Sequence, residues 1–150
     1  NELFLYSAVL FYLFYIGIKM HQMHPFQNIY FNFLTGNNVH EKFEVDYWGL
    51  ANKSFLEKML EIEKSKNDIY IGAASFTTLA RSLNLIDKEK RDKIKIVGLD
   101  FDRADYIFTN FMSEVNKNTN KRYDIPKNFV LFDTFYVNGV KVYEVYKKNN

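Results

Sequence analysis

Two acidic residues at the end of an apolar run are the first candidates for chemistry. Asp100 and Asp102 follow the apolar segment 94–99 directly. Two carboxylates at a strand end can hold a divalent cation, and a strand-end aspartate can act as a nucleophile. There is no glycine-rich phosphate loop, however, and Arg103 and Ala104 replace the small hydroxyl residue that such a site expects. The pattern favours an exposed turn between two strands.

The three histidines are the second candidates. His21 and His24 are three residues apart, so one face of a helix could present both to a metal ion. Pro25 is expected to end that helix, and His40 is distant in sequence. The absence of cysteine excludes a thiolate metal site and a cysteine nucleophile. We therefore expect a hydrogen-bonding role for these histidines, and we expect no metal site, no cofactor and no catalytic residue in this chain.

Two polar-aromatic stretches are the third candidates. One runs over residues 24–32, and the other over residues 46–49, which contain the single tryptophan. Aromatic rings beside carboxylate and amide groups are suited to gripping sugars, but rings packed in a core with satisfied polar ends have the same composition. On composition alone, core packing is favoured. The candidate substrate-binding residues are His24, Gln27, Tyr30, Asn32, Asp46, Tyr47 and Trp48.

An apolar segment precedes these stretches. Residues 3–18 contain no charge, and Ser7 is their one small polar residue among aliphatic and aromatic side chains. As a helix they measure about 24 Å at roughly 1.5 Å per residue. This is slightly shorter than the hydrocarbon core of a bilayer, which is about 30 Å thick and needs about 20 residues. Residues 1–20 are therefore interpreted as the end of a transmembrane helix cut by the start of the chain, with a buried core helix as the alternative. Tyr15 and Lys19 suit a membrane interface.

The remaining residues, 21–150, predict a single soluble domain. The whole chain of 150 residues is long enough for one core, and its net charge of +2 gives no support for a nucleic-acid surface. Alternation and apolar runs predict strands over 43–47, 69–73, 94–99 and 104–111. Helices are predicted over 55–66, capped by Asn52 or Ser54, and from a cap at Ser75 to about residue 84.

The C-terminal region carries the strongest local signal. Asn138–Gly139 separates two runs rich in strand-forming residues, 129–137 and 140–147, and predicts a type I′ hairpin. The strand–helix–strand part should be parallel with a right-handed crossover. The predicted fold class is α/β or α+β, with a mixed sheet, flanking helices, an N-terminal hydrophobic helix and a C-terminal β-hairpin.

The polar-aromatic stretches also resemble a known signature. His24-Pro25-Phe26-Gln27, Tyr30-Phe31-Asn32 and Asp46-Tyr47-Trp48-Gly49 are similar to the pattern HPYQ-x-x-YFN … DYWG, and segments 104–110, 137–139 and 145–147 match it further in order. That pattern follows the last transmembrane helix of bacterial multi-pass proteins similar to dolichyl-phosphate-mannose–protein mannosyltransferases and related GT-C-type transferases of lipid-linked sugars. The likeness covers about residues 10–148 and departs where tyrosine is expected, at Phe26, Asn28 and Phe111.

The resemblance implies a C-terminal domain on the periplasmic side of a bacterial inner membrane. In such enzymes the catalytic carboxylates lie in an early loop, so this domain would be an accessory or substrate-positioning part that contacts the bilayer and a lipid-linked sugar or acceptor. A non-enzymatic extracytoplasmic binding or interaction module on a membrane anchor is the alternative. The resemblance also implies that Asp46 is held by His24, Tyr30 and Asn32, with the 46–48 turn packed against residues 24–32.

Overall fold

A computed structural model describes residues 2–31, 35, 39–112 and 121–149 of the chain. The helices of those ranges are α1 Glu2–Gln22, α2 Val39–Lys42, α3 Ala51–Ile62, α4 Leu79–Ser82 and α5 Lys88–Arg91. The strands are β1 Ile69–Ala73, β2 Ile94–Gly98, β3 Tyr106–Thr109, β4 Phe129–Val137 and β5 Val140–Lys148. Short 3-10 helices cover Gln27–Ile29, Leu83–Leu85 and Phe101–Arg103.

The five strands form one mixed sheet in the order β2-β1-β3-β5-β4. The central strand β1 pairs in parallel with both β2 and β3, and the β4–β5 hairpin adds two antiparallel strands beside β3. Asn138 and Gly139 have φ of 48° and 79°, the left-handed conformations that a type I′ turn requires. The predicted mixed sheet, flanking helices and hairpin are confirmed, and the class is α+β.

The main core lies between α3 and one face of the sheet. Phe55, Leu56 and Met59 lie on one side of α3 and are buried. The Phe55 ring lies 4.6 Å from the ring of Phe108 on β3 and 5.8 Å from that of Tyr143 on β5, measured between centroids. Burial of these large side chains is the main source of stability at this face.

The connection from β2 to β3 covers the opposite face. It crosses β1 at Gly72, where a Cβ atom would lie 2.9 Å from Cδ1 of Phe101. Glycine is therefore required at this position for the close approach of the Phe101 ring. A second cluster of buried apolar residues forms around that ring and includes Ala74, Ala104 and Ile107.

The N-terminal helix α1 stands apart from both cores. None of its 21 residues is buried, so the structure does not support the alternative of a core helix in this domain. It is apolar and long enough to cross a membrane by length and composition. As expected, the helix ends just before Pro25, and the chain then joins the domain through Phe26, whose ring lies 5.6 Å from that of Phe135 on β4.

Two sequence predictions before β1 are wrong. Residues 43–47 form no strand: they follow α2 as a bend at residue 43 and a turn over residues 45–48. Val45 and Asp46 are neighbours in the chain and both are buried, whereas successive side chains of a strand point to opposite faces, so that a strand with one exposed face would expose one of them. Helix α3 occupies residues 51–62 instead of 55–66. Neither Asn52 nor Ser54 caps it, because the Asp46 carboxylate accepts hydrogen bonds from the first backbone N–H groups.

Other predictions need smaller corrections. The helix expected from Ser75 begins only at Leu79 and ends at Ser82, because the Ser75 hydroxyl is bonded to another part of the fold. The charged run 87–93, predicted as a turn, contains α5. The predicted turn at 35–38 lies mostly outside the described residues, and so do residues 113–120 of the predicted polar loop 112–127.

Candidate functional site

The parallel strands β1, β2 and β3 end at one edge of the sheet, here called the carboxyl edge. In the sheet, β2 and β3 lie on opposite sides of β1. The connection that leaves β1 leads to one side, and the chain then crosses to β3 on the other side, so the direction of winding reverses between β1 and β3. Ligands of open α/β sheets bind at such reversal points. Ser75 follows β1, Asn110 follows β3, and the loop before α3 brings Asp46 to the same place.

Asp46 is fully buried and its carboxylate is saturated with donors. Leu50 N donates to Oδ1 at 2.8 Å, and Ala51 N donates to Oδ2 at 3.3 Å. Asn110 Nδ2 donates to the Asp46 backbone oxygen at 3.2 Å and lies 3.4 Å from Oδ2. The carboxylate thus satisfies the free N–H groups at the start of α3 and ties that helix to the end of β3.

Asn110 links this carboxylate to the loop after β1. Its Oδ1 accepts a hydrogen bond from Ser75 Oγ at 2.6 Å and lies 3.4 Å from Thr77 Oγ1. Ser75 Oγ also accepts from Thr77 N at 3.1 Å. All these side chains are buried, so the network fixes the geometry of the carboxyl edge and presents no free nucleophile to solvent.

Burial is the largest influence on the Asp46 carboxyl and raises its pKa above the ordinary value. Hydrogen bonds from Asn110, Leu50 and Ala51 act in the opposite direction and offset part of that rise. The carboxyl is enclosed by these partners, so its direct role is to hold the turn in place.

Tyr47 and Trp48 project from that turn into solvent. Their side chains are 49% and 80% exposed, and their rings meet edge to face with centroids 5.2 Å apart. Phe76, from the loop after β1, lies 6.4 Å from Tyr47 and is 43% exposed. We call Tyr47, Trp48 and Phe76 the aromatic cluster. It is an exposed apolar surface held on a buried polar base, which is a feature of interaction sites.

Gly49 positions this cluster. Its φ is +65°, and a Cβ atom there would lie 2.7 Å from Asn52 Nδ2. Gly49 N donates to the Asp46 backbone oxygen at 3.0 Å, which closes the turn. Only glycine combines the left-handed conformation with this close contact, so the reversal that aims Asp46 at α3 depends on it.

The other candidate residues from the sequence form no described hydrogen bond with Asp46. Gln27 Nε2 and His24 Nδ1 are 2.9 Å apart on the surface, and Tyr30 is 45% exposed. Within the described part of the chain, Asp46 receives its bonds from residues 50, 51 and 110, so the expected donation from His24 and Tyr30 is wrong. Asn32 lies outside the described residues.

A pocket of about 290 Å³ opens beside the aromatic cluster, at the carboxyl ends of β1 and β2. Phe76 belongs to both features, and Thr78 and Leu99 line the pocket with it. Arg122 and Tyr123 form part of the wall, where the Arg122 side chain donates to the Tyr123 hydroxyl and lies over its ring. The pocket combines hydroxyl, apolar and cationic groups, which suit an anionic ligand of modest size.

The acidic pair behaves as the sequence predicted. Asp100 and Asp102 are exposed in the turn between β2 and β3, and Asp100 pairs with Arg103 at 3.8 Å. Within residues 2–31, 35, 39–112 and 121–149, no group of three or more histidine, aspartate and glutamate side chains could hold a metal ion.

Sequence reasoning missed the partners of Asp46. Ser75 was interpreted as a helix cap, and Asn110 was noted only within the resemblance. The available signal was that Ser75 and Asn110 each follow a buried apolar strand. Parallel strands bring such positions together at one edge.

Comparison of the chain with protein-family models, with curated proteins and with solved structures finds no match. The apolar helix α1 and the geometry of the carboxyl edge are the features that bear on its function.

Proposed function

We propose that this chain is a membrane-anchored extracytoplasmic domain of a protein resembling the transferases of lipid-linked sugars, in which it positions substrate without supplying catalytic groups. One observation carries the proposal. An apolar helix with no buried residue leads, within four residues, into a domain that displays aromatic side chains on a rigid polar base.

The anchoring part follows from α1. Its 21 residues measure about 32 Å at roughly 1.5 Å per residue, which matches a hydrocarbon core of about 30 Å. Exposed Leu, Phe and Tyr side chains surround it on every face. Such a surface is stable in lipid and unfavourable in water. The resemblance to periplasmic domains of bacterial inner-membrane proteins supports placing the folded domain on the periplasmic side.

The substrate-positioning part follows from the aromatic cluster and the adjoining pocket. Tyr47 and Trp48 offer ring faces on which the apolar side of a sugar can lie. Arg122 contributes a guanidinium group at the nearby pocket wall, a group that binds phosphate oxygens well. A polyprenyl-phosphate sugar combines these two features and lies where a membrane meets water.

Deletion of residues 2–18 tests the anchor. We expect the full chain to stay with membranes under alkaline extraction, and the deleted chain to move to the soluble fraction with an unchanged near-ultraviolet circular dichroism spectrum. The reason is that no residue of α1 contributes to the buried core. Unfolding of the shortened chain would contradict the anchor and assign α1 to the domain.

Binding of a radiolabelled polyprenyl-phosphate hexose to the full chain in lipid nanodiscs tests the substrate role. We expect saturable binding that is weakened by Trp48→Ala and by Arg122→Gln, and retained in Phe132→Ala, since Phe132 lies on β4 beside Tyr106. If the chain binds polyprenol without sugar as tightly as it binds the polyprenyl-phosphate hexose, the substrate-positioning role is wrong. Intact anchoring without sugar binding would favour the alternative, a non-enzymatic interaction module on a membrane anchor.

A further inference from the structure

The carboxyl edge and the end of α1 lie on the same side of the domain. Phe26, four residues after α1, contacts Phe135 on β4. Phe135 pairs with Tyr143 on β5, and its ring stacks on that of Tyr143 at 4.9 Å. Tyr143 adjoins Glu144, which pairs with Thr109, the last residue of β3. The chain therefore enters the domain at the level where β3 ends.

The aromatic cluster lies at this same level. Asn110 follows Thr109 directly and donates to the backbone and carboxylate oxygens of Asp46. Tyr47 and Trp48 follow Asp46 directly in the chain. The third ring of the cluster belongs to Phe76, whose backbone N donates to the backbone oxygen of Met112, three residues after the end of β3. The cluster and the entry point of α1 are thus connected through the end of one strand.

Further exposed apolar groups lie on this edge. Leu99, which follows β2, is 42% exposed. The hairpin tip extends about 13 Å beyond the end of β3, at roughly 3.3 Å per residue over the four steps from Glu144 to Val140. Tyr136, near that tip, is 55% exposed.

The opposite edge, where β1, β2 and β3 begin, is here called the amino edge. Exposed charge occurs at both edges, since Asp100 pairs with Arg103 just after β2, and exposed apolar side chains also lie near the amino edge, at Val130 and Leu131.

The described residues of the amino edge differ in that one lysine is shared between two carboxylates. Lys66 Nζ lies 3.8 Å from Glu63 Oε1 and 3.6 Å from Asp105 Oδ2, and Lys95 Nζ lies 3.5 Å from Asp68 Oδ1. Ion pairs of this kind are stable in water and costly to move towards lipid.

We propose that the carboxyl edge lies on the membrane, with the rings of Tyr47, Trp48 and Phe76 in the lipid headgroup layer of the bilayer that holds α1. Exposed tryptophan and tyrosine are the side chains that concentrate at this layer, because their rings are apolar and their polar atoms reach water. This inference rests on the anchoring part of the proposed function and adds an orientation of the folded domain. It also places the pocket wall at Arg122 beside the headgroups, where the phosphate of a lipid-linked sugar lies.

Trp48 is the single tryptophan of the chain and reports its own depth. The full chain is reconstituted into phosphatidylcholine vesicles that carry a spin-label quencher either on the headgroup or near the end of the acyl chain. We expect Trp48 fluorescence to be quenched more by the headgroup label than by the acyl-chain label, with its emission maximum shifted to shorter wavelength.

Two relocated probes serve as controls, both in a Trp48→Phe background. Phe132→Trp places the probe where its ring faces Tyr106 and Lys147, near the amino edge, and we expect little quenching by either label. Phe11→Trp places the probe in the middle of α1, and we expect the acyl-chain label to quench it most.

Each other outcome overturns the orientation, and the control in α1 separates it from the anchor. If Trp48 is quenched no more than the probe at residue 132 while the probe at residue 11 is strongly quenched, α1 spans the bilayer and the carboxyl edge does not touch it. If residue 132 is quenched more than Trp48, the opposite edge faces lipid. If the probe at residue 11 is not quenched either, the anchor itself is wrong and the orientation fails with it.

Discussion

One carboxylate at each edge of the sheet shows two different ways of holding a negative charge. At the amino edge, Asp105 is 38% exposed by its side chain and shares Lys66 with a neighbouring glutamate. At the carboxyl edge, Asp46 is fully buried and, among the described residues, receives its donors from backbone and amide groups. The first carboxylate is part of a solvated surface, whereas the second supports aromatic rings that remain exposed.

This difference indicates what each edge is built for. Exposed ion pairs contribute little to stability and keep a surface soluble. A buried carboxylate with matched donors is costly to assemble and is worth retaining where a turn must be held rigid. The aromatic cluster lies directly on that rigid turn, so this part of the carboxyl edge has the features of a contact surface, whereas the ion pairs around Lys66 have those of a water-facing surface.

The largest expected effect comes from removing the two carboxylates in turn. Asp46→Ala leaves the N–H groups of Leu50 and Ala51 without their acceptor and leaves Asn110 Nδ2 only the backbone oxygen of residue 46. We expect a loss of about 3 kcal/mol in the free energy of unfolding. Asp105→Ala removes an exposed ion pair and one 3.3 Å acceptor for Tyr70 N, and we expect a loss below about 1 kcal/mol. Urea denaturation followed by near-ultraviolet circular dichroism measures both; equal losses would remove the contrast between the edges.

A pair of glycines sharpens the account of the aromatic turn. Gly49 and Gly98 have nearly the same φ, +65° and +62°, but only Gly49 has a neighbour where a Cβ would lie. We expect Gly98→Ala to cost about 1 kcal/mol for backbone strain alone. Gly49→Ala should cost about 2 kcal/mol, because the buried Asn52 amide must also move away from Ser82.

Thermal denaturation of the two variants compares these costs under identical conditions. A Gly49→Ala variant no less stable than Gly98→Ala would show that the turn adjusts freely. The aromatic cluster would then lack the rigid support that distinguishes its edge.

A smaller effect concerns pH. Burial raises the pKa of Asp46 above its ordinary value of 3.8, so the folded chain keeps this proton to a higher pH than the unfolded chain does. The contribution of Asp46 to the free energy of unfolding is therefore largest below pH 3.8 and falls as pH rises through the raised pKa. Denaturation of wild type and Asp46→Asn across this acidic range should show the fall only in wild type. A wild-type curve that rises more steeply with pH than that of Asp46→Asn would contradict the sign.

Strong local signals explain which parts of the fold could be predicted. The apolar runs at 69–73 and 94–98 and the Asn138–Gly139 turn carry enough information in neighbouring residues to define strands and a hairpin. The length and uniform apolar character of α1 likewise define that helix without reference to the rest of the chain. These elements were predicted correctly because few other conformations suit their sequences.

The errors occur where distant residues decide the structure. Alternation over residues 43–47 favoured a strand, but Asp46 is held by Asn110, which is 64 positions away in sequence, and by the first turn of α3. The same contact starts that helix at Ala51, before the expected caps. Ser75 does not cap a helix for a similar reason, since its hydroxyl donates to Oδ1 of Asn110. Hydrogen bonds between remote segments outweigh local preference there, and a single sequence does not reveal them.

The proposed orientation turns the carboxyl edge, and not the amino edge, towards the bilayer. The chain contains no cysteine, so one spin label can be placed by Phe76→Cys and, in a separate sample, by Lys95→Cys. Power-saturation electron paramagnetic resonance of the full chain in nanodiscs then compares collision with oxygen, which concentrates in lipid, and with a water-soluble nickel chelate. The account predicts a higher ratio of oxygen to nickel collisions at residue 76 than at residue 95. Equal ratios, or a higher ratio at residue 95, would contradict it.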